Sequence, residues 1–413
     1  MKVLTINSTY DTGSTGKIIF DLSHDLTGKV DFYKCYQGGP ASSIDRYRIS
    51  SRPVAIFYYL LARLIGLKHS TGILPTLMLI HKIKKNKPDI VHVHCPSRNT
   101  VHLPLLINFL KNSKIPTIIT NHAEFFYTGN CSHSIDCLKF QSGCGNCNYL
   151  FDPCRKYLFD RTAKEWKLMK NAFDNARNFT MVAVSPWVQS RIKISPITSH
   201  LKTLTIINGI NTDLFSFASN QEIKIDDFFD QSDFILHVTS SFSDDINDLK
   251  GGVYILELAK RMPSQKFAVI GNFRISNPEI VPENIKLLGH IGDQLLLAEY
   301  YRRAKLTVLS SKRETFGMAC AESLCCGTPV VGFKAGGTES IGLDGFCEFT
   351  DYGSSEALHQ LAVKWLVKSF DRMQISELAR KKYSSETMSQ DYYSLYKQVL
   401  MSVENGPRHL PNG

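Results

Sequence analysis

Two glutamates with seven residues between them are the side chains whose type and spacing could do the most specific chemistry in this sequence. They are Glu314 and Glu322, the second and the last residue of the stretch 313–322, which reads RETFGMACAE. An ionised carboxylate can accept two hydrogen bonds from a vicinal diol, so each glutamate could hold ribose or sugar hydroxyls. Taken alone, the pair is better explained as solvated glutamates on an ordinary βαβ unit.

The flanking sequence predicts how these glutamates are positioned. Apolar runs at 306–309 (LTVL) and 327–333 (GTPVVGF) predict strands, and between them Gly317 can open a helix that Gly327 closes. Glu314 is then expected at the loop tip, and Glu322 about two turns into the helix. A helix that starts at the carboxyl end of a parallel strand offers free N–H groups and a positive dipole, which suit a diphosphate.

The glutamate pair, followed by Gly-Thr-Pro-Val-Val and then by Gly336-Gly337-Thr338-Glu339, resembles the donor-site signature of glycosyltransferase family 4. The resemblance covers nearly the whole chain and favours a functional role for both glutamates. It implies an α/β protein of the GT-B fold, with two Rossmann-like, doubly wound parallel-sheet domains facing a cleft. It also implies a retaining hexosyltransferase, with Glu314 on the donor sugar and Glu322 on the ribose.

The same resemblance gives donor contacts around the two glutamates. It places Phe316, Gly317 and Met318 against the donor, and Lys250 matches the family lysine that neutralises the diphosphate. Lys250 follows a predicted strand at 234–238 and a loop at 239–248.

The arginine that commonly precedes this lysine in the family is missing. Arg313 or Arg274 could supply the second cation. The neighbouring pair Asp244-Asp245 could instead hold a metal, but enzymes of the GT-B type need none, so no cofactor is expected for catalysis.

The amino-terminal half contains a second candidate phosphate loop. A predicted strand at Lys2–Ile6 is followed by a loop at 7–16 and a helix from Lys17. Its GSTGK segment lacks the first glycine of a P-loop and the Ser or Thr after the lysine. In the family a glycine-containing loop here approaches the donor phosphate or the acceptor, which gives that role to Gly13 and Gly16.

Two histidines fall at the carboxyl ends of predicted strands. His94 ends the strand 89–94, and His122 follows the strand 116–120. Alternating strands and helices predict a doubly wound parallel sheet, whose ligands gather at these ends. His122 matches a family histidine that contacts the donor sugar, whereas His94 is interpreted as structural.

The segment 128–154 contains five of the chain's 11 cysteines: Cys131, Cys137, Cys144, Cys147 and Cys154. The Cys144–Cys147 spacing suits one zinc ion, and Cys131 with Cys137 would complete a four-sulfur structural site. The alternative is a loop of small buried residues. The segment resembles an insertion in colanic-acid-type enzymes that build bacterial exopolysaccharide, which implies a structural or acceptor-side role.

Length and resemblance together predict the domain organisation. A chain of 413 residues is too long for one ordinary core. We expect an acceptor-side domain at 1–208, a nucleotide-sugar-binding domain at 209–384 and a helix at 385–413 that packs back on the first domain. At the junction Asn211 replaces the family aspartate and keeps its turn chemistry.

The balance of 48 Lys and Arg against 38 Asp and Glu favours anionic partners. No recognition motif for nucleic acid is present, so sugar nucleotides and lipid phosphates remain. The longest apolar run, 53–67, is interrupted by Arg63 and falls short of the roughly 20 residues of a membrane span. Without a signal peptide, the expectation is a cytoplasmic protein in peripheral, electrostatic contact with the inner face of the plasma membrane.

The predicted function is transfer of a sugar from a nucleotide-diphosphate sugar to a hydroxyl of a lipid-linked glycan. The expected pathway is bacterial surface polysaccharide biosynthesis, either exopolysaccharide or lipopolysaccharide. The alternatives are a sugar-nucleotide epimerase, which can use the same two-domain fold, and a non-catalytic carbohydrate-binding protein.

Overall fold

The computed structural model describes residues 1–39, 41–150, 158–218, 223–230 and 232–404. These residues divide into two compact units, one formed by 1–208 with the chain from Met388 onward, the other by 209–387. The sequence predicts domain boundaries after residues 208 and 384. In the structure the boundaries between the compact units fall after residues 208 and 387.

The sheet of the first unit contains, within the described residues, seven parallel strands. They are β1 (Lys2–Thr9), β2 (Asp31–Gly38), β3 (Arg46–Arg48), β4 (Ile90–Val93), β5 (Thr117–Asn121), β6 (Phe179–Ala183) and β7 (Lys202–Thr205). Their order is β3-β2-β1-β4-β5-β6-β7, so the direction of winding reverses between β1 and β4.

The helices of the first unit alternate with these strands. They are α1 (Gly13–Asp25), α2 (Arg52–Ile65), α3 (Ile73–Asn86), α4 (Leu103–Ser113), α5 (Phe125–Thr128), α6 (Thr162–Phe173) and α7 (Pro186–Ile194). A serine caps α7, because the Ser185 hydroxyl accepts the N–H of Val188 at 3.2 Å.

The sheet of the second unit has six parallel strands in the part of the chain that is described. They are β8 (Phe234–Ser243), β9 (Lys266–Arg274), β10 (Ile285–Gly289), β11 (Leu306–Leu309), β12 (Val330–Phe333) and β13 (Cys347–Thr350). Their order is β10-β9-β8-β11-β12-β13. β8 is longer than predicted, because its pairing with β9 resumes at Ser241 after a register shift that begins at Val238.

The helices that follow in the chain are α8 (Gly252–Arg261), α9 (Gln294–Arg303), α10 (Met318–Cys325), α11 (Gly337–Ile341), α12 (Ser355–Leu366), α13 (Arg372–Tyr383) and α14 (Ser385–Glu404). Two parallel sheets with alternating helices confirm the predicted α/β class. None of the described helices has both the length and the apolar character needed to cross a bilayer.

Most of α14 packs into the core of the first unit. Tyr392, Leu395 and Tyr396 are buried in the same cluster as Val3 and Ile118 of the sheet. Burial of these aromatic side chains explains why the chain returns to the first unit after leaving it.

Candidate active site

The carboxyl ends of β8 and β11 meet where the strand order of the second sheet reverses. β8 and β11 pair directly, with Leu236 opposite Thr307. Open α/β sheets bind ligands at such a reversal, in the loops that follow the two strands. Here those loops contain Lys250 after β8 and Glu314 after β11.

The turn that carries Lys250 rests on the end of β11. Lys312 donates its backbone N–H to the carbonyl of Leu249 at 2.8 Å, and the Ser310 hydroxyl donates to the carbonyl of Lys250 at 2.9 Å. Gly251 is left-handed, with a φ of +66°, and a Cβ atom added there would lie 2.2 Å from the Ser310 carbonyl oxygen. Only glycine permits this close approach.

These contacts bring Lys250 and Glu314 together. The Lys250 ammonium donates to Glu314 Oε1 at 2.6 Å, and the side chains are 27% and 24% exposed. A charge-assisted hydrogen bond of this length orients both groups. Their partial exposure leaves them accessible to a ligand.

Glu314 is held through its backbone as well. It pairs as an isolated parallel bridge with Gly336: its N–H donates to the Ala335 carbonyl at 2.9 Å, and its carbonyl accepts the Gly337 N–H at 2.8 Å. The Glu339 carboxylate in turn accepts the N–H groups of Ala335 and Gly336, each at 2.8 Å. The Gly-Gly-Thr-Glu motif therefore stabilises the Glu314 loop through backbone hydrogen bonds.

The start of α10 packs on this same motif. Gly317 precedes the helix with a φ of +94°, and a Cβ atom added to it would lie 2.6 Å from Thr338 Oγ1. Met318, the first helical residue, is half-buried. The Phe316 ring is buried edge-to-face on Tyr383, with ring centroids 6.5 Å apart. Any donor contact from Phe316 would therefore come from its backbone.

Glu322 is the fifth residue of α10, about one turn into the helix. The expected two turns were too many, because one turn takes 3.6 residues. Its Oε2 atom accepts the Tyr301 hydroxyl at 3.0 Å. Burial, together with the Glu322 charge, holds the pKa of Tyr301 well above its usual range, so the hydroxyl keeps its proton and donates. Sequence reasoning missed Tyr301, because nothing in a separation of 21 residues indicates this contact.

The candidate second cations occupy different environments. Arg313 Nη1 donates to the Ala335 carbonyl at 3.4 Å, whereas Arg274 is exposed at the end of β9. Asp244 accepts the Ser276 N–H at 3.0 Å, and its hydrogen bonds with Ser276 hold its pKa below the usual range. Asp245 accepts the Asn247 N–H at 2.9 Å. Asp245 therefore caps its own turn, whereas Asp244 binds the loop that follows β9.

The remaining site candidates lie in the first unit. His94 Nδ1 and His122 Nε2 share a hydrogen bond of 3.2 Å at the ends of β4 and β5. Burial lowers the pKa of His122 to about 4 and holds the pKa of His94 well below its usual range, so both rings are neutral near pH 7.

Sequence reasoning missed a chain of hydrogen-bonded polar side chains that lies behind the two histidines. His92 Nδ1 bonds the Tyr396 hydroxyl at 2.7 Å, and His92 Nε2 bonds the Thr120 hydroxyl at 2.8 Å. Thr120 in turn bonds the Tyr392 hydroxyl at 2.9 Å. The predicted packing of the C-terminal helix on the first domain carried no information about these polar partners.

Gly13 and Gly16 lie in the first turns of α1, not in a loop. The prediction of a loop through residue 16 is wrong, because Thr12 is the extended residue before the helix and α1 begins at Gly13. A Cβ atom added to Gly16 would lie 3.0 Å from Thr9 Oγ1. Close packing on β1 thus explains Gly16 in structural terms, and its donor role stays a prediction.

The cysteine-rich segment is only partly described, since Cys154 lies outside the described residues. In the described ranges no group of three or more His, Cys, Asp or Glu side chains is arranged to hold a metal ion. Cys131 is buried, while Cys137, Cys144 and Cys147 are half-buried. The four-sulfur zinc site stays a prediction. Elemental analysis of protein purified without chelator separates near-equimolar zinc from a loop of small buried residues.

Residues 241–382 match the family model of glycosyl transferases group 1. A 52-residue segment is 52% identical to the D-inositol 3-phosphate glycosyltransferase of Thermomonospora curvata. The aligned segment covers 13% of this chain and 12% of that protein. The match thus spans about an eighth of the relative's length. The group 1 match is coarser than family 4, and it does not include the cysteine-rich segment. Family 4 and the colanic-acid type stay predictions.

Solved structures align over almost the whole chain. Sucrose-phosphate synthase from Thermosynechococcus elongatus has a TM-score of 0.67 at 15% identity, covering 97% of this chain and 100% of that one. The Anabaena protein HepE, in complex with UDP and glucose, has a TM-score of 0.63 at 15% identity, covering 96% and 100%. The chain is therefore built on the GT-B fold, and its residues 241–382 match the glycosyl transferases of group 1.

Proposed function

We propose that this protein is a retaining glycosyltransferase that moves a hexose from a nucleotide-diphosphate sugar to an acceptor hydroxyl. One observation carries the proposal: the Lys250 ammonium and the Glu314 carboxylate are in contact at 2.6 Å, in the loops at the strand-order reversal. Glu314 stands four residues before Met318, where α10 starts. One cation, one carboxylate and a helix start suit a diphosphate next to a polyhydroxylated ring.

The proposed reaction exchanges one bond of the anomeric carbon for another. The bond between the anomeric carbon and the diphosphate oxygen breaks, and a bond from the anomeric carbon to the acceptor oxygen forms on the same face. The acceptor proton leaves with the diphosphate or to solvent. Negative charge grows on the leaving diphosphate, where Lys250 and the N-terminus of α10 stabilise it, so the proposal includes no catalytic metal.

The other site residues take orienting roles. Glu314 and His122 would hold hydroxyls of the sugar, and Glu322 would hold the ribose. The Gly317 and Met318 backbone would lie along the diphosphate. Precise placement of the reacting atoms can supply a large part of a rate enhancement.

For the donor we favour a UDP-sugar, supported by the HepE structure with UDP and glucose. For the acceptor we favour a lipid-linked glycan of bacterial surface polysaccharide biosynthesis, reached by peripheral contact at the cytoplasmic face of the plasma membrane. The name of the Thermomonospora curvata relative supplies D-inositol 3-phosphate as the competing acceptor.

A thermal-shift screen against common sugar nucleotides tests the donor. A ligand at 100 times its Kd stabilises the protein by about 2.7 kcal/mol. Nucleoside diphosphate release is then measured with no acceptor, with D-inositol 3-phosphate and with a bacterial lipid extract. Release that depends on an acceptor supports a transferase. Interconversion of the sugar nucleotide without any acceptor would establish an epimerase instead, and no shift with any sugar nucleotide would overturn the proposal.

A further inference from the structure

The first unit leaves the apolar helix α2 largely uncovered. Large apolar side chains at six positions are between 37% and 60% exposed: Val54, Ile56, Phe57, Tyr59, Leu60 and Leu64. Ala62 is the buried residue of this 14-residue helix. An exposed apolar patch of this kind marks a surface that a partner covers.

The next helix, α3, presents a stripe with two characters. Ile73, Leu74, Leu77 and Met78 are between 49% and 63% exposed, while Leu79, Ile80 and Ile83 are buried. Lys84 and Lys85 follow on the exposed side. At 3.6 residues per turn, Leu74, Met78 and Lys85 share one face. The face is therefore apolar over its first two turns and cationic at its end.

Charge identifies the partner. Between Arg46 and Pro88 the sequence has nine Lys and Arg and no Asp or Glu. A second copy of this chain would bring the same positive charge to the interface, which repels at close range. A bilayer with anionic lipids offers both an apolar interior and a negative surface.

We propose that α2 and α3 form a docking surface that lies on an anionic lipid bilayer. The apolar side chains of α2 enter the boundary between headgroups and acyl chains, and Phe57 and Tyr59 provide aromatic anchors. Lys84 and Lys85 contact lipid phosphates. At about 1.5 Å per residue α2 is about 21 Å long, short of the roughly 30 Å hydrocarbon core, so it lies on the membrane and does not span it.

This surface replaces the expectation of a purely electrostatic attachment. Salt screens the lysines but not the apolar contacts. The inference rests on the proposed function only for the lipid-linked acceptor. Vesicle binding is measured without donor or acceptor, so its failure is separate from a failure of sugar transfer.

Vesicle flotation tests the surface with the full chain. We expect binding to vesicles of phosphatidylglycerol and phosphatidylcholine, weaker binding to phosphatidylcholine alone, and a bound fraction that survives 1 M NaCl. The double variant Phe57→Ser with Leu60→Ser should lower partitioning about tenfold and remove the salt-resistant fraction. Lys84→Ala with Lys85→Ala should weaken binding only at low salt.

Val367→Ser is the matched control, because Val367 is an 83% exposed apolar residue of the second unit and should leave binding unchanged. Thermal melting verifies that each variant is folded. Wild-type protein that does not float with the anionic vesicles would overturn the inference. So would an α2 double variant that binds like wild type. Dimers in solution that this variant dissociates would assign the surface to a second copy and also overturn it.

Discussion

The Lys250 ammonium lies 2.6 Å from Glu314 Oε1, across 64 residues of sequence. Before a donor binds, each charge is thus already balanced by the other. A diphosphate that approaches Lys250 competes with Glu314 for the same cation and is repelled by the carboxylate. The two residues therefore act as a coupled pair, and removing one changes what the other does.

The coupling predicts opposite effects on nucleotide binding. Glu314→Gln should bind UDP more tightly than wild type, because Lys250 loses its competitor. Lys250→Ala should bind UDP more weakly. Each change should be about fivefold, which corresponds to about 1 kcal/mol for a partly exposed charge pair. Isothermal titration calorimetry measures both. A shift of both variants in the same direction would contradict the coupling.

A second prediction concerns the contact between Tyr301 and Glu322. The ribose does not change during the reaction, so loss of a ribose contact should raise the donor KM and leave turnover almost unchanged. Glu322→Gln should raise KM about tenfold. Tyr301→Phe should raise it less, by removing a hydrogen bond that orients the carboxylate. Steady-state kinetics with varied donor decide this, and a fall in turnover with unchanged KM would place Glu322 elsewhere.

The packing of the Gly-Gly-Thr-Glu motif predicts a stability difference between two glycines. A Cβ atom added to Gly337 would lie 2.2 Å from the carbonyl carbon and oxygen of Thr315, whereas one added to Gly292 meets nothing within 4 Å. Gly337→Ala should destabilise the protein by about 1–3 kcal/mol through overpacking, and Gly292→Ala should not. Thermal melting of both variants is the measurement. Equal melting temperatures would show that the loop yields without cost.

Histidines with lowered pKa values predict a loss of stability in mild acid. Burial lowers the pKa of His92 to about 3 and that of His122 to about 4, from an ordinary value of 6.5. These rings stay neutral in the folded protein while the unfolded chain gains protons below pH 6.5. Their contribution is therefore complete above pH 6.5 and is lost as the pH falls towards 4.

The carboxyl of Glu165 has the opposite effect on how stability depends on pH. Burial raises its pKa from 4.5 to about 7, so it adds stability as the pH falls from 7 to 4.5 and partly offsets the histidines. Glu165→Gln should make the acid limb steeper by about 1.4 kcal/mol per pH unit, the equivalent of one proton. Urea unfolding at pH 6.5, 6.0 and 5.0 measures the slopes. An unchanged slope in Glu165→Gln would show that this carboxyl does not titrate as described.

Local patterns predicted the parallel sheets well, because their strands are short β-branched runs between turn residues. Asn211 illustrates this at a turn, since its side chain accepts the N–H of Asp213 at 3.1 Å as expected. The start of α1 was less predictable, because a left-handed glycine, Gly13, is its first residue. Glycine at that position is more typical of a loop.

Contacts across long separations were beyond sequence reasoning. Lys250 and Glu314 were each predicted, but their direct contact depends on how the β8 and β11 loops pack. The role of Glu339 was within reach, because an acidic residue three positions after the N-cap, here Gly336, has the spacing of a capping box. The exposure of α2 was not, since its apolar sequence equally describes a buried helix.

The turnover of Lys250→Ala and Glu314→Gln shows whether Lys250 and Glu314 form the catalytic centre. Donor is varied at saturating acceptor, and Lys364→Ala is the control, because it breaks a comparable ion pair with Glu348, 2.7 Å long and outside the site. We predict that Lys250→Ala raises the activation free energy by about 2.7–4 kcal/mol, so that kcat falls roughly 100- to 1000-fold. Glu314→Gln should also lose turnover, and the control should not. Wild-type turnover in both site variants would contradict the assignment of this pair as the catalytic centre.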